Sequence, residues 1–86
     1  MMTKSEKREA AIRQNPKQVR FDDLDLLLRS YEFVRAQSRK GSSHFNYRHE
    51  KVTKIVTIPT HGAGFVKVEY VKDALARIDE IKEQTR

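Results

Sequence analysis

The chain has 86 residues, no cysteine and three histidines, and its 18 Lys and Arg against 12 Asp and Glu leave a formal net charge of +6. A chain of this length fits one domain that buries about two thirds of the surface it exposes when unfolded. Without cysteine there are neither disulfides nor thiolate metal sites, and the scattered histidines offer no close-spaced ligand pair, so no metal or cofactor is expected. The N-terminus carries charge without an apolar stretch of signal-peptide length, and the longest aliphatic run is Leu26-Leu27-Leu28, which predicts a cytoplasmic protein without a membrane partner.

Charge is unevenly spread. Six basic against two acidic groups give residues 1–20 a charge of +4, one against four give 21–34 a charge of −3, six against one give 35–54 a charge of +5, and 55–86 balance. Two basic blocks therefore flank an acidic segment, and a basic block is either a solvated surface or the footprint of a polyanion.

In chain order, residues 4–14 have helix-favouring composition and stop at Asn15-Pro16, because proline restricts the residue before it and cannot continue a helix. Their apolar content is only Ala10, Ala11 and Ile12, which predicts a lightly packed appendage. Phe21, Leu24, Leu27, Leu28 and Tyr31 then recur at helical spacing behind Asp22 and Asp23, acids that suit the positive end of a first core helix. Phe33, Val34 and Ala36 within residues 32–38 predict a short strand. Strands over 43–49 and 52–58 follow, joined at Glu50-Lys51 as a hairpin. Pro59 closes the third strand, and Thr60-His61-Gly62-Ala63-Gly64 reads as a loop. Val71, Ala74, Leu75, Ile78 and Ile81 mark a closing amphipathic helix. The expected fold is α+β: a three-stranded antiparallel sheet in αβββα order, preceded by an extra short helix.

The run Arg39-Lys40-Gly41-Ser42-Ser43-His44-Phe45-Asn46-Tyr47-Arg48 joins a basic glycine turn to a strand bearing one histidine. Alternation puts Phe45 and Tyr47 on a buried face and His44, Asn46 and Arg48 on the other. RNA cleaves without metal when its 2′-hydroxyl attacks the adjacent phosphorus, a step needing a base, an acid and positive charge. His44 is a candidate base, since a free imidazole titrates near about 6.5. Lys40 and the backbone N–H groups of Gly41, Ser42 and Ser43 can stabilise the phosphorane-like transition state. At about 3.3 Å per residue, Asn46 lies roughly 7 Å and Arg48 roughly 13 Å along from His44, so Asn46 can reach the attacked nucleotide and Arg48 a neighbouring phosphate. Read from the residues alone, a single strand histidine is more often structural or incidental than catalytic.

His49 shares the parity of Phe45 and Tyr47 and reads as a strand-end packing or capping residue. His61 is either a proton donor to the leaving 5′-oxygen or an exposed loop histidine. Lys67 and Lys72 can meet phosphate or acidic groups, or remain solvated. Phe65, Tyr70 and Tyr31 have rings able to stack on bases, but their spacings assign them to the core or its edge.

In order and spacing, Asn15-Pro16-Lys17-Gln18-Val19-Arg20-Phe21, Gly41-Ser42-Ser43-His44, Ile55-Val56-Thr57-Ile58-Pro59-Thr60-His61 and Val68-Glu69-Tyr70-Val71 resemble the HicA family of toxin endoribonucleases, over about residues 15–82. The resemblance implies a fold like a double-stranded-RNA-binding domain and ribosome-independent cleavage of mRNA that arrests translation until a HicB-type antitoxin binds. It divides the chain into an N-terminal helical extension, residues 1–14, and a HicA-like toxin domain, residues 15–86. It maps the catalytic histidine to His44. Many relatives carry histidine at both the third and fourth positions of the glycine-serine motif; here Ser43 precedes His44, leaving one candidate. The alternative is a noncatalytic RNA-binding module using the same basic face, and a third class is a protein-interaction domain working by charge complementarity.

Overall fold

The structure is a computed structural model that describes residues 3–37, 44–59 and 64–84. It is α+β, with helices α1 (Lys4–Gln14) and α2 (Phe21–Ser30), strands β1 (Val34–Gln37), β2 (His44–His49) and β3 (Val52–Pro59), and helix α3 (Val68–Gln84). The strands form an antiparallel sheet in the order β1-β2-β3, consistent with a small αβββα fold carrying one additional leading helix. No helix among the described residues is long and apolar enough to cross a membrane.

Each helix begins and ends for local reasons. Thr3 caps α1: its hydroxyl accepts from the Glu6 N–H at 3.2 Å while the Glu6 carboxylate accepts from the Thr3 N–H at 3.0 Å, satisfying two otherwise unpaired donors. Helix α2 has no side-chain cap, but Asp22 and Asp23 lie in its first turn, where negative charge meets the helix dipole favourably. Its C-terminus is a Schellman motif: the Phe33 N–H donates to the Leu28 carbonyl at 3.2 Å and the Glu32 N–H to that of Arg29 at 3.0 Å. Glu32 supplies the left-handed conformation, with φ of 69°, at the position glycine usually takes. The expected strand over 32–38 therefore starts later, at Val34, because Glu32 belongs to the helix stop.

One face of the sheet packs against the helices. Tyr47, Val56 and Ile58 of the sheet meet Leu24, Leu27 and Leu28 of α2 and Val71, Ala74 and Ile78 of α3 in one core, all almost fully buried. Phe45 packs at its margin, stacked on Phe21 at 5.6 Å between centroids. His49 follows the same face, its ring 5.1 Å from that of Phe33, and its Nδ1 accepts the Lys51 N–H at 3.0 Å. That is the packing and capping role its parity indicates.

Helix α1 is more than an appendage. Ile12 is 4% exposed and belongs to the core, and Glu9, 8% exposed, is a buried charge held by three donors. Lys82 Nζ donates at 2.6 Å, Arg13 Nε at 2.8 Å, and the Tyr31 hydroxyl donates to the other oxygen. Arg13 also binds Asp79 of α3 at 2.8 Å. The helix is thus fastened to α3 by charge, with a single isoleucine as its apolar anchor, a mode that hydrophobic periodicity does not register.

Burial alone would raise the Glu9 pKa, but hydrogen bonds from Lys82, Tyr31 and Arg13 outweigh it and hold the carboxyl at about 2, against an ordinary 4.5. A depressed carboxyl stabilises the fold above the unfolded pKa, and its contribution is lost as pH falls from about 4.5 toward 2. Because Lys82 and Arg13 are partly exposed and solvent screens them, the loss is expected to be about 1–2 kcal/mol. Urea titrations of wild type and Glu9→Gln at pH 6, 4 and 3 check this: the variant should have a flatter acid slope, and parallel slopes would refute it.

Candidate nucleic-acid interface

Strand β2 divides its side chains as alternation demands. Tyr47 is wholly buried and Phe45 packs on the core, while His44 and Asn46 are half-buried and Arg48 is exposed on the opposite face. The ladder defines their neighbours: His44 lies opposite Pro59, Asn46 lies between Ala36 and Thr57, and Arg48 is opposite Val34. The Thr57 hydroxyl donates to Asn46 Oδ1 at 2.9 Å, which fixes the amide across β2 and β3. Beside Arg48 the β2–β3 pairing shifts register between Tyr47 and His49, and an irregularity of this kind bends a strand and re-aims its side chains.

Behind this face, Tyr47 anchors β2 to a buried carboxylate. Its hydroxyl donates to Asp25 Oδ1 at 2.6 Å, Arg35 Nη1 donates to the same oxygen at 3.1 Å, and Arg29 Nη1 lies 3.6 Å from Oδ2. Burial, and then the hydrogen bond to the Asp25 carboxylate, push the Tyr47 hydroxyl pKa well above its ordinary value, so it remains a donor. The Arg35 guanidinium also lies 4.6 Å from the centroid of the Phe45 ring. Helix α2, β1 and β2 are therefore joined by one acid, held by Tyr47 and its ladder partner Arg35 on the core side of the sheet. No sequence motif marks Asp25, because Tyr47, the buried group it holds, lies 22 residues along the chain on another element.

Of the candidate residues, the structure brings His44, Asn46 and Arg48 onto one face. Lys40, Gly41, Ser42, Ser43 and His61 lie outside the described residues. Lys67 and Lys72 are exposed near the start of α3. Tyr31 serves the Glu9 network, and Tyr70 is half-buried against the core.

Phe65 departs from expectation: it is 52% exposed instead of packed. It sits in an irregular segment, where no period signals which way a side chain points. With Pro59, Val66, Lys67 and Tyr70 it lines a cavity of about 150 Å³, and the Arg20 guanidinium carbon lies 5.6 Å from its ring centroid. Among the described residues no cluster of His, Asp and Glu has the arrangement of a metal site.

Comparison of the chain with protein-family models, curated proteins and solved structures finds no match.

Proposed function

We propose that this chain is a cytoplasmic toxin endoribonuclease of the HicA kind, cleaving single-stranded mRNA and silenced by a HicB-type antitoxin. The observation that carries the proposal is the split of β2, which sets a histidine, an amide and an arginine in a row on the sheet face opposite the helices. His44 takes the proton from a ribose 2′-hydroxyl, the oxygen attacks the adjacent phosphorus, and the P–O5′ bond breaks. The products are a 2′,3′-cyclic phosphate and a 5′-hydroxyl once the leaving oxygen gains a proton, for which His61 is the candidate donor. Asn46 is positioned to hold the attacked nucleotide, and Arg48 to bind a further phosphate. Support comes from the +5 charge of residues 35–54 and from the resemblance, which maps a catalytic histidine to His44.

A second reading has its own support. His44 is the one histidine on this face among the described residues, so it suits a hydrogen-bond donor in a noncatalytic RNA-binding module equally well. Incubating the purified protein in EDTA with a long unstructured RNA and mapping the new ends separates the two. Cyclic or 3′-phosphate ends paired with 5′-hydroxyls are expected; tight, salt-sensitive binding of intact RNA would favour the binding module. Weak RNA affinity indifferent to salt would instead favour a protein-interaction domain.

A further inference from the structure

Large aromatic side chains are normally buried, because leaving apolar surface in water is unfavourable in proportion to its area. Phe65 keeps half its surface exposed although Val66, next to it, is buried at 9% exposure. The local backbone fixes this difference. The Val66 N–H donates to the Val19 carbonyl at 2.7 Å, and Val19 is itself 2% exposed. Two buried valines and one main-chain hydrogen bond thus clamp the segment before α2 to the segment before α3. The residues beside them, Arg20 and Phe65, are held together at the surface, cation over ring.

The cavity at this clamp has an aromatic platform in Phe65, a second ring in Tyr70, an ammonium in Lys67 and a wall in Pro59. Pro59 is the ladder partner of His44, and directly opposed residues in an antiparallel pair stand about 4.5–5.5 Å apart between Cα atoms. One wall of the cavity is therefore the immediate neighbour of the histidine. An apolar peptide would need neither cation, whereas a nucleotide presents a flat π-face for a ring and an anionic phosphate for Arg20 or Lys67.

We propose that this cavity is a nucleobase subsite, in which Phe65 stacks on an unpaired base adjacent to the phosphate that His44 serves, and Arg20 and Lys67 meet the backbone on either side. The subsite rests on the ribonuclease reading above and gives that reading a single-strand preference, because a base held on Phe65 cannot remain stacked within a duplex. It is a stacking site, tolerant of base identity, since each base offers a π-face.

The test uses full-length protein and short single-stranded RNA. Phe65→Ala should weaken binding of an uncleavable 2′-O-methyl oligonucleotide about 5- to 150-fold, the range for loss of one stacked base. Phe65→Trp should retain binding and Phe65→Leu should not, which separates stacking from packing. Cleavable oligonucleotides carrying one abasic position at a time should then reveal a single position, next to the cut, where wild type slows to the rate of Phe65→Ala. Binding by Phe65→Ala or Phe65→Leu equal to wild type would overturn the subsite while leaving the nuclease intact. So would a change confined to self-association, which would make the cavity a contact between copies of the chain. Absence of both RNA binding and cleavage in wild type would instead remove the ribonuclease reading, and the subsite with it.

Discussion

His44→Ala is expected to lower the initial rate of RNA cleavage about 10²- to 10⁴-fold, the usual contribution of a positioned general base, while RNA affinity changes only a few-fold. The two effects separate because affinity for RNA comes mainly from cations meeting phosphates, and Arg48 is untouched by the substitution. Folding should survive, since the side chain lies on the face away from the core and β2 stays anchored through Tyr47. Parallel measurements of single-turnover cleavage in EDTA and of binding across a salt series check both halves. In cells, growth arrest should disappear with the cleavage. Equal cleavage by wild type and variant would transfer the chemistry to another group or to a contaminant, and a parallel collapse of binding would make His44 a binding residue.

Asp25→Ala is expected to destabilise the fold by about 2–4 kcal/mol, more than its own volume would suggest. The substitution leaves the wholly buried Tyr47 hydroxyl without its acceptor and deprives Arg35 and Arg29 of their shared partner. The partial exposure of Arg35 keeps the figure at the lower end for a broken ion pair, because water can reclaim that charge. Tyr47→Phe should cost less, as the carboxylate keeps both arginines. Asp25→Ala combined with Tyr47→Phe should cost less than the sum of the two changes, because the hydroxyl orphaned in the first is absent in the pair. Urea unfolding of the four proteins measures the coupling; strict additivity would mean that the hydrogen bond contributes nothing. Near its unfolding midpoint Asp25→Ala should also cleave RNA poorly, since the same acid secures the strand that presents His44.

The elements that could be read from the sequence are those whose apolar residues repeat. Leu24, Leu27 and Leu28, and Val71, Ala74, Leu75 and Ile78, announce helices by spacing. Phe45 and Tyr47 set the parity of β2, and with it the shared face of His44, Asn46 and Arg48. What escaped were features defined by partners distant in sequence. Glu9 looks like any helix-surface acid until Tyr31 and Lys82 arrive beside it, and Asp25 looks solvated until Tyr47 and Arg35 close over it. Glu32 hid a helix stop because glycine, the usual marker, is absent there. Phe65 sounded like core because aromatic residues usually are, yet its orientation is fixed by a backbone bond between Val19 and Val66 that composition does not encode.

The Glu9 network also bears on when the molecule can finish folding. Its donor Arg13 is 4 residues on and Tyr31 is 22, but Lys82 follows by 73 residues, and the companion link from Arg13 to Asp79 spans 66. Synthesis proceeds from the N-terminus, so while α1, α2 and the sheet emerge, Glu9 has only part of its hydrogen-bonding shell. The charge that fastens the first helix is therefore completed by the last, and contacts of such long separation form late because loop closure must precede them. A nascent chain lacking α3 holds β2 and its histidine on a scaffold still missing its final clamp, which ties maturation of the open sheet face to completion of α3.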